Sequence, residues 1–384
     1  MSWLWDIDFE ELADDPAKLT VFAGGLRAND MQVRLKYAGI ESQMVADAED
    51  LLARIASLPA EENAYLIANY TALPPVHAVL TNASQVQQSQ REEPSRSRSA
   101  CHAAERTSVR EGKHESAEIG CEGSSQRRAV PLAGKPTELV IAHLFPDLLN
   151  LYGDGGNVRI LEQRLRWRGI PVEVRRIQHG EAVDFSQVDL VFMGGGPDRE
   201  QKLASEQLLA MRDELAAYVE GDGPLLAICG GYQILGRQWL WGDELVPGLG
   251  LIDMETRRPG TSADRLIDNM VLESPLAAHP VVGYENHAGR TYLGEGVEGF
   301  GRVVSSCGHG NNDDDRVEGA RYKNVVGTYS HGPLLSKNPE VADWLLARAL
   351  ERRTQRTGTP AADLAPLDDS AELAANASMV KRLS

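Results

Sequence analysis

An apolar run ends in a thiol in "LLAICGGYQILG" (225–236), where Cys229 is followed by Gly230 and Gly231 before a helical pattern resumes. Cysteine at such a junction suits nucleophilic chemistry. A residue on a sharp strand-to-helix turn is presented outward, as in the nucleophile elbow of hydrolases. The two glycines remove Cβ atoms that would clash in the turn. The N-terminus of the following helix favours a thiolate and leaves backbone N–H groups, that of Gly230 first, for a developing oxyanion. The competing reading is a buried, inert core cysteine, a common fate of this residue type.

A thiol nucleophile needs a proton partner. His331 follows an apolar run in "VVGTYSHGPLL" (325–335) and falls at a strand end, on the edge where it can meet Cys229. A loop histidine without a role is the alternative. His287, in "GYENHAGRT", competes from a polar loop with Glu285, Asn286 and Arg290, but no strand end aims it at the thiol; His143 and His309 are weaker candidates. In "MGGGPDREQ" (193–201) a buried strand opens into three glycines, and the N–H of Gly195 or Gly196 can serve as a second oxyanion donor. Glycine-rich loops after strands also bind phosphates, but this loop carries neither GxxxxGK[ST] nor GxGxxG, so nucleotide binding is the weaker reading.

The elements that must position these groups alternate between strand and helix. "TELVIAHL", "PVEVRRI", "VDLVFMGGG" and "GPLLAICGG" read as strands. Between them "GGNVRILEQRLRWRGI" reads as a helix with Val158, Leu161 and Leu165 inward, and 199–222 as one long helix. Near-continuous apolar strands in this order predict an α/β fold with a doubly wound parallel sheet, in which ligands bind at the carboxyl ends of the strands. A smaller α/β block precedes it, with a strand at 18–24, a helix over 28–39 and a second strand at 64–73. Residues 84–136 and the tail 352–384 have the composition of disordered segments, which leaves folded blocks at 1–83 and 137–351.

A length of 384 residues suggests two or three domains. The net charge of -17 gives no electrostatic footprint for nucleic acid or an anionic membrane. No apolar run is long enough for a transmembrane segment, and the acidic N-terminus lacks the basic region of a signal peptide. The four cysteines (Cys101, Cys121, Cys229 and Cys307) form no CxxC pair or regular framework. That usage predicts a cytoplasmic protein with reduced thiols and no metal site.

Taken together, "AICGGYQILG", "MGGGPDREQ", "GYENHAGRT" and "GTYSHGPLL" resemble class I glutamine amidotransferases of the cobyric-acid-synthase-like group, and within it the GatD-type glutaminase subunits of lipid II isoglutaminyl synthase. "LNLYGDGGNVRIL" and "HGNNDDD" (309–315) extend the likeness over about 137–350. The resemblance implies a class I glutamine amidotransferase-like fold, with Cys229 as nucleophile and His331 as base in the hydrolysis of L-glutamine. Most class I amidotransferases carry a Glu two residues after the His; here Pro333 stands there, as in the cobyric-acid-like group, so the acid of the triad is not in this motif. The GatD group also uses an Arg after the nucleophile to hold the substrate, which points to Arg265 in "SADRLIDN". Residues 1–83, through "SWLWDIDFE", "GGLRANDMQVRLKYAGI" and "ANYTAL", resemble the C-terminal domain of MurT-like Mur ligases.

The implied partners are therefore L-glutamine, a MurT-like Mur ligase subunit and, through it, lipid II. No cofactor is expected in this chain, and ATP is expected only in the ligase partner. The rivals are a cobyric-acid-type amidotransferase of corrinoid synthesis and a non-catalytic docking protein. In the MurT-like family an Asp just upstream of the Ser-Trp pair is thought to complete the Cys–His pair. Here Ser2-Trp3 follow Met1 directly, so that Asp is expected to be missing; Asp6 and Asp30 are the nearest substitutes in the first block, and neither matches the family position.

Overall fold

Short apolar segments give strands at Val21–Gly24 (β1) and Ser42–Val45 (β2), which pair as a two-stranded sheet. The helix between them, Ala28–Tyr37 (α1), buries Val33, Leu35 and Tyr37. The next helix, Ala48–Ala56 (α2), starts at Asp47, whose carboxylate accepts from the N–H groups of Glu49 and Asp50 and so satisfies two of the helix's free donors. The structure is a computed structural model that describes residues 3–14, 19–58, 64–67, 76–78, 80–81, 138–241, 244–258 and 265–384. Residues Met1–Met44 pack with Arg127–Ser384 as one unit, and Val45–Gln126 form another. The boundary between the two units falls inside the expected block 1–83. Residues 64–67 form no strand, against the expectation of one at 64–73, and 68–73 lie outside the described residues, as does the expected linker 84–136.

In the first unit, Leu139–Leu144 (β3) leads through Gly156–Trp167 (α3) to Val172–Ile177 (β4) and then Leu190–Met193 (β5). The helix expected over 199–222 is two, Asp198–Ala210 (α4) and Arg212–Glu220 (α5), broken at Met211, whose backbone leaves the helical region. Leu225–Ile228 (β6) follows, then Gly230–Ile234 (α6). Further strands are Gln238–Trp241 (β7), Glu244–Pro247 (β8), Met254–Arg257 (β9), Leu266–Glu273 (β10), Val281–His287 (β11), Arg290–Leu293 (β12), Gly301–Val303 (β13), Val317–Glu318 (β14), Ala320–Tyr322 (β15) and Val325–Thr328 (β16).

The main sheet has the order β15-β16-β6-β5-β3-β4 and is parallel except for β15 at its edge. Alternate residues of each strand serve opposite faces, as the pleat requires. Leu139, Ile141, Leu190, Phe192, Leu226 and Ile228 pack with α3 and Pro339–Thr357 (α7). Val140, Ala142, Val191, Met193, Leu225 and Ala227 pack with α4, α5 and α6. The expected doubly wound parallel sheet is therefore present. Two smaller sheets, β12-β9-β7-β8 and β11-β10-β13-β14, flank it.

The tail read as disordered is ordered instead. Helix α7 runs through residue 352 to Thr357 and stops at Gly358, whose φ of 70° suits glycine. Ser370–Leu383 (α8) then packs on α1. Lys36 Nζ donates to both oxygens of buried Glu372, at 2.8 and 2.7 Å. Fully buried Arg164 of α3 bonds Asp343 of α7 and Asp369 just before α8. Among the described residues no helix is long and apolar enough to cross a membrane.

Candidate active site

The parallel register sets Ile228 of β6 beside Thr328 of β16, and Ala227 beside Met193 of β5. The chain leaves all three strands at the same edge, so Cys229, the 194–196 glycines and His331 are brought together from distant sequence positions. Cys229 N donates to Thr328 O at 2.8 Å, which ties the turn to the neighbouring strand. Its backbone sits at φ 50°, ψ −104°, a strained conformation for a residue with a Cβ. Strain of this kind marks the nucleophile elbow expected from the sequence. Close approach explains Gly231: a Cβ there would lie 2.8 Å from Gly194 O.

The reacting groups converge on Gly195. A Cβ built on it would stand 3.0 Å from Cys229 Cβ, 3.4 Å from His331 Cε1 and 3.4 Å from Asp154 Oδ2. His331 is buried, and its backbone pairs with Tyr284 of β11, with N donating to Tyr284 O at 2.8 Å. Its Nδ1 donates to Asp154 Oδ1 at 3.0 Å. Nε2 makes no hydrogen bond with any described group. Burial disfavours the imidazolium, but the Asp154 carboxylate, and after it the Cys229 side chain, outweigh this and push His331 up to about 10. The result is a buried Asp–His pair facing a thiol.

The carboxylate at His331 is Asp154, which the sequence reading did not consider. It lies in the turn after the 3-10 segment Leu151–Gly153 and is fully buried. Neither substitute from the first block reaches His331: Asp30 is paired with Lys337 and Arg27, and Asp6 makes no bond to it. Asp154 also corrects one oxyanion assignment. Its Oδ2 accepts the Gly195 N–H at 2.9 Å, so that donor is already engaged. Gly196 and Gly230 remain: a Cβ on Gly230 would lie 3.3 Å from Gly196 N, so the two amides are neighbours. The first turn of α6 has no intrahelical acceptor for the Gly230 N–H.

A second carboxylate, Glu318 of β14, also escaped sequence reasoning. Its Oε1 accepts from Thr328 Oγ1 and Tyr329 N, both at 2.7 Å, and so fixes the chain entering His331. Full burial pushes it up to about 7 against those two bonds. His287 is not the imidazole at the thiol. It is stacked flat on Tyr329 at 3.5 Å, with Nδ1 donating to Gly289 O. His309 lies against Glu285, and His143 is buried against Phe192.

Arg265 directly precedes β10 and is exposed. Its guanidinium donates to the side-chain and backbone oxygens of Asn286 at 2.8–3.0 Å. Asn286 Nδ2 donates to Tyr152 OH at 2.6 Å, and the Tyr152 ring stands edge-on to His331 at 5.0 Å. Arg265 is thus linked to the site through two residues, on its solvent side. Among the described residues no group of His, Cys, Asp and Glu could hold a metal ion.

Residues 140–339 match the model of the CobB/CobQ-like glutamine amidotransferase domain, and residues 1–73 that of the MurT ligase C-terminal domain. The GatD subunit of lipid II isoglutaminyl synthase (glutamine-hydrolyzing) from Staphylococcus aureus strain N315 is 42% identical over 246 residues, which cover 64% of this chain and 96% of the relative. Its namesake from Streptococcus pneumoniae strain ATCC BAA-255 / R6 is 36% identical over 219 residues, 57% of this chain and 83% of the relative. A cobyric acid synthase of Listeria innocua serovar 6a is 30% identical over 167 residues, but these cover only 31% of that protein. The chain belongs to the CobB/CobQ-like glutamine amidotransferase family.

Proposed function

We propose that this chain hydrolyses L-glutamine and supplies the ammonia that amidates the D-glutamate of the lipid II stem peptide in peptidoglycan synthesis. The observation that carries the chemistry is the strained Cys229 turn facing the His331–Asp154 pair. Cys229 Sγ attacks the side-chain amide carbon of glutamine, with the Gly196 and Gly230 amides facing the developing oxyanion. The C–N bond breaks as His331 passes its proton to the departing nitrogen, which leaves as ammonia while the acyl group stays on Cys229 as a thioester. A water, deprotonated by His331, then adds to the thioester; its collapse expels the thiolate and gives glutamate. Asp154 holds the tautomer of His331 and stabilises its charged form throughout.

The names of the two GatD relatives, which align over 96% and 83% of their length, support the peptidoglycan role over a corrinoid one. The MurT-type segment supports a Mur ligase as partner, and lipid II and ATP are assigned to that partner. The test supplies amide-labelled L-glutamine to this chain with a MurT-like ligase, ATP and lipid II. Label in the amidated stem peptide, with equimolar glutamate, is the expected outcome. Glutamate without labelled lipid II removes the acceptor assignment, and no glutamate at all removes the glutaminase. A glutamine-like diazoketone is expected to alkylate Cys229 before Cys307, as read by peptide mapping.

Arg265 is assigned to the substrate carboxylate, which a guanidinium can hold with two parallel bonds. Arg265→Ala is expected to lower kcat/KM for glutamine about 30-fold, the loss of a charge-assisted pair. Alkylation of Cys229 by a small neutral reagent is expected to keep its rate. A parallel fall in both makes Arg265 a support of the Asn286–Tyr152 wall instead.

A further inference from the structure

Two residues beyond Asp154, Gly156 packs against Pro333, two residues beyond His331, and against Trp5. A Cβ on Gly156 would lie 2.4 Å from Pro333 Cγ and 2.9 Å from the Trp5 ring atoms Cδ2 and Cε3. The Gly156 backbone is therefore closely approached by Pro333 of the His331 loop and by the indole of Trp5, which leave no room for a side chain there. Trp5 is only 4% exposed, as is Leu4 beside it. Its ring lies 5.7 Å from that of Tyr37 in α1.

The segment carrying Trp5 is held from both sides. Arg34 of α1, with no exposure, donates to Leu4 O at 3.2 Å and to Ile7 O at 2.6 Å, and its guanidinium pairs with Glu10. Arg159 of α3, the helix that begins at Gly156, binds Asp8 at 2.7 Å and Glu10 at 3.0 Å. On the far side, Lys337, in the stretch after Pro333, binds Asp30 of α1 at 2.9 Å. Asp6, next to Trp5, stands near enough to Asp154 to feel its charge: burial and then that carboxylate raise Asp6.

We propose that Trp5 is a positioning residue for glutamine hydrolysis: its indole wedges against the Asp154 turn, backed by Pro333 of the His331 loop, and fixes the carboxylate–imidazole contact on which the reaction depends. A fully packed wedge has no slack, because a 6–12 contact loses much of its attraction over a gap of half an ångström or so. Removing it frees the Asp154 turn to drift, and a shift on the order of 1 Å in a catalytic group is enough to cost about 100-fold in rate. The MurT-type segment then does more than dock: it sets the geometry of the glutaminase pair. This inference rests on the reading of Asp154 and His331 given above.

The test compares Trp5→Ala, Trp5→Leu and Trp5→Phe in the full chain, alone and in an Asp154→Asn background. Each is read by kcat and KM for glutamine, the pH profile of kcat/KM, and the urea midpoint. Trp5→Ala is expected to lower kcat between about 10- and 100-fold with KM within about twofold, and to move the basic limb of the profile to lower pH. Trp5→Phe is expected to recover most of kcat, and Trp5→Leu less, at similar urea midpoints. In the Asp154→Asn background Trp5→Ala is expected to cost less than about twofold, since both act through one contact. A folded Trp5→Ala or Trp5→Leu with wild-type kcat overturns the proposal, as do losses that add in full to that of Asp154→Asn. Leu and Phe variants that lose urea stability without any change in the pH profile also overturn it, because they make Trp5 merely structural. If Asp154→Asn alone leaves kcat intact, the reading of the site itself has failed, and this inference falls with it.

Discussion

Cys229→Ala abolishes glutamine hydrolysis and leaves the urea midpoint close to that of the parent. The loss expected is on the order of 10⁴-fold or more, because removal of a nucleophile leaves only binding and oxyanion stabilisation behind. The fold should tolerate the change. Cys229 is half-buried at a strand end, and alanine removes one atom without disturbing the bond from its N–H to Thr328 O. The φ of 50° is equally strained for either residue, so no stability is recovered. Steady-state glutamate release checks the rate. A residual rate within about tenfold of the parent, roughly 1.4 kcal/mol in barrier, would make the cysteine a packing residue after all.

Asp154→Asn is expected to cost about 10³- to 10⁴-fold in kcat, the range for losing the carboxylate behind a catalytic histidine. Two contacts change at once. His331 Nδ1 loses a charged acceptor, and the Gly195 N–H loses Oδ2 or must share it with an amide. The pH dependence gives the sign. Asp154 is the chief group that raises His331, so without it burial dominates and the imidazolium gives up its proton at lower pH. The basic limb of the activity profile, where the imidazolium is lost, therefore moves down. A kcat within tenfold of the parent and an unmoved limb would show that the Cys–His pair suffices.

The sheet was legible because its central strands β3, β5, β6 and β16 are buried along their whole length, a pattern typical of a parallel sheet between helices. Cys229 and His331 could be read because each lies within three residues of the end of such a strand, and the carboxyl edge of the sheet is where side chains from separate strands can meet. Asp154 carried a weaker signal. It stands well past the end of β3, and an Asp before Gly-Gly at a helix start looks like a cap. Only the turn with Tyr152 at φ 56° and Gly153 at φ 69° brings it under His331. The engagement of the Gly195 amide could not be seen for the same reason, since its acceptor was not recognised. The ordered tail was hidden by composition: its partners are Lys36, Arg164 and Asn338, and no local periodicity reports charges that are matched across the whole chain. The break at Met211 has no Gly or Pro to announce it.

The pairing of α8 with α1 has a consequence for how the protein comes into being. Lys36 finds Glu372 across 336 positions of sequence, and Arg164 finds Asp369 across 205. Ribosomes add residues one at a time, at about 5–20 per second. The first segment must therefore wait, already exposed, for many seconds before its last contacts exist. During that interval Val33 and Tyr37 can find the α3 side of the core, but Lys36 has no carboxylate to neutralise it. A ribosome that stalls before residue 372 leaves Lys36 without its buried carboxylate, although Arg159 and Lys337 have already met Asp8 and Asp30.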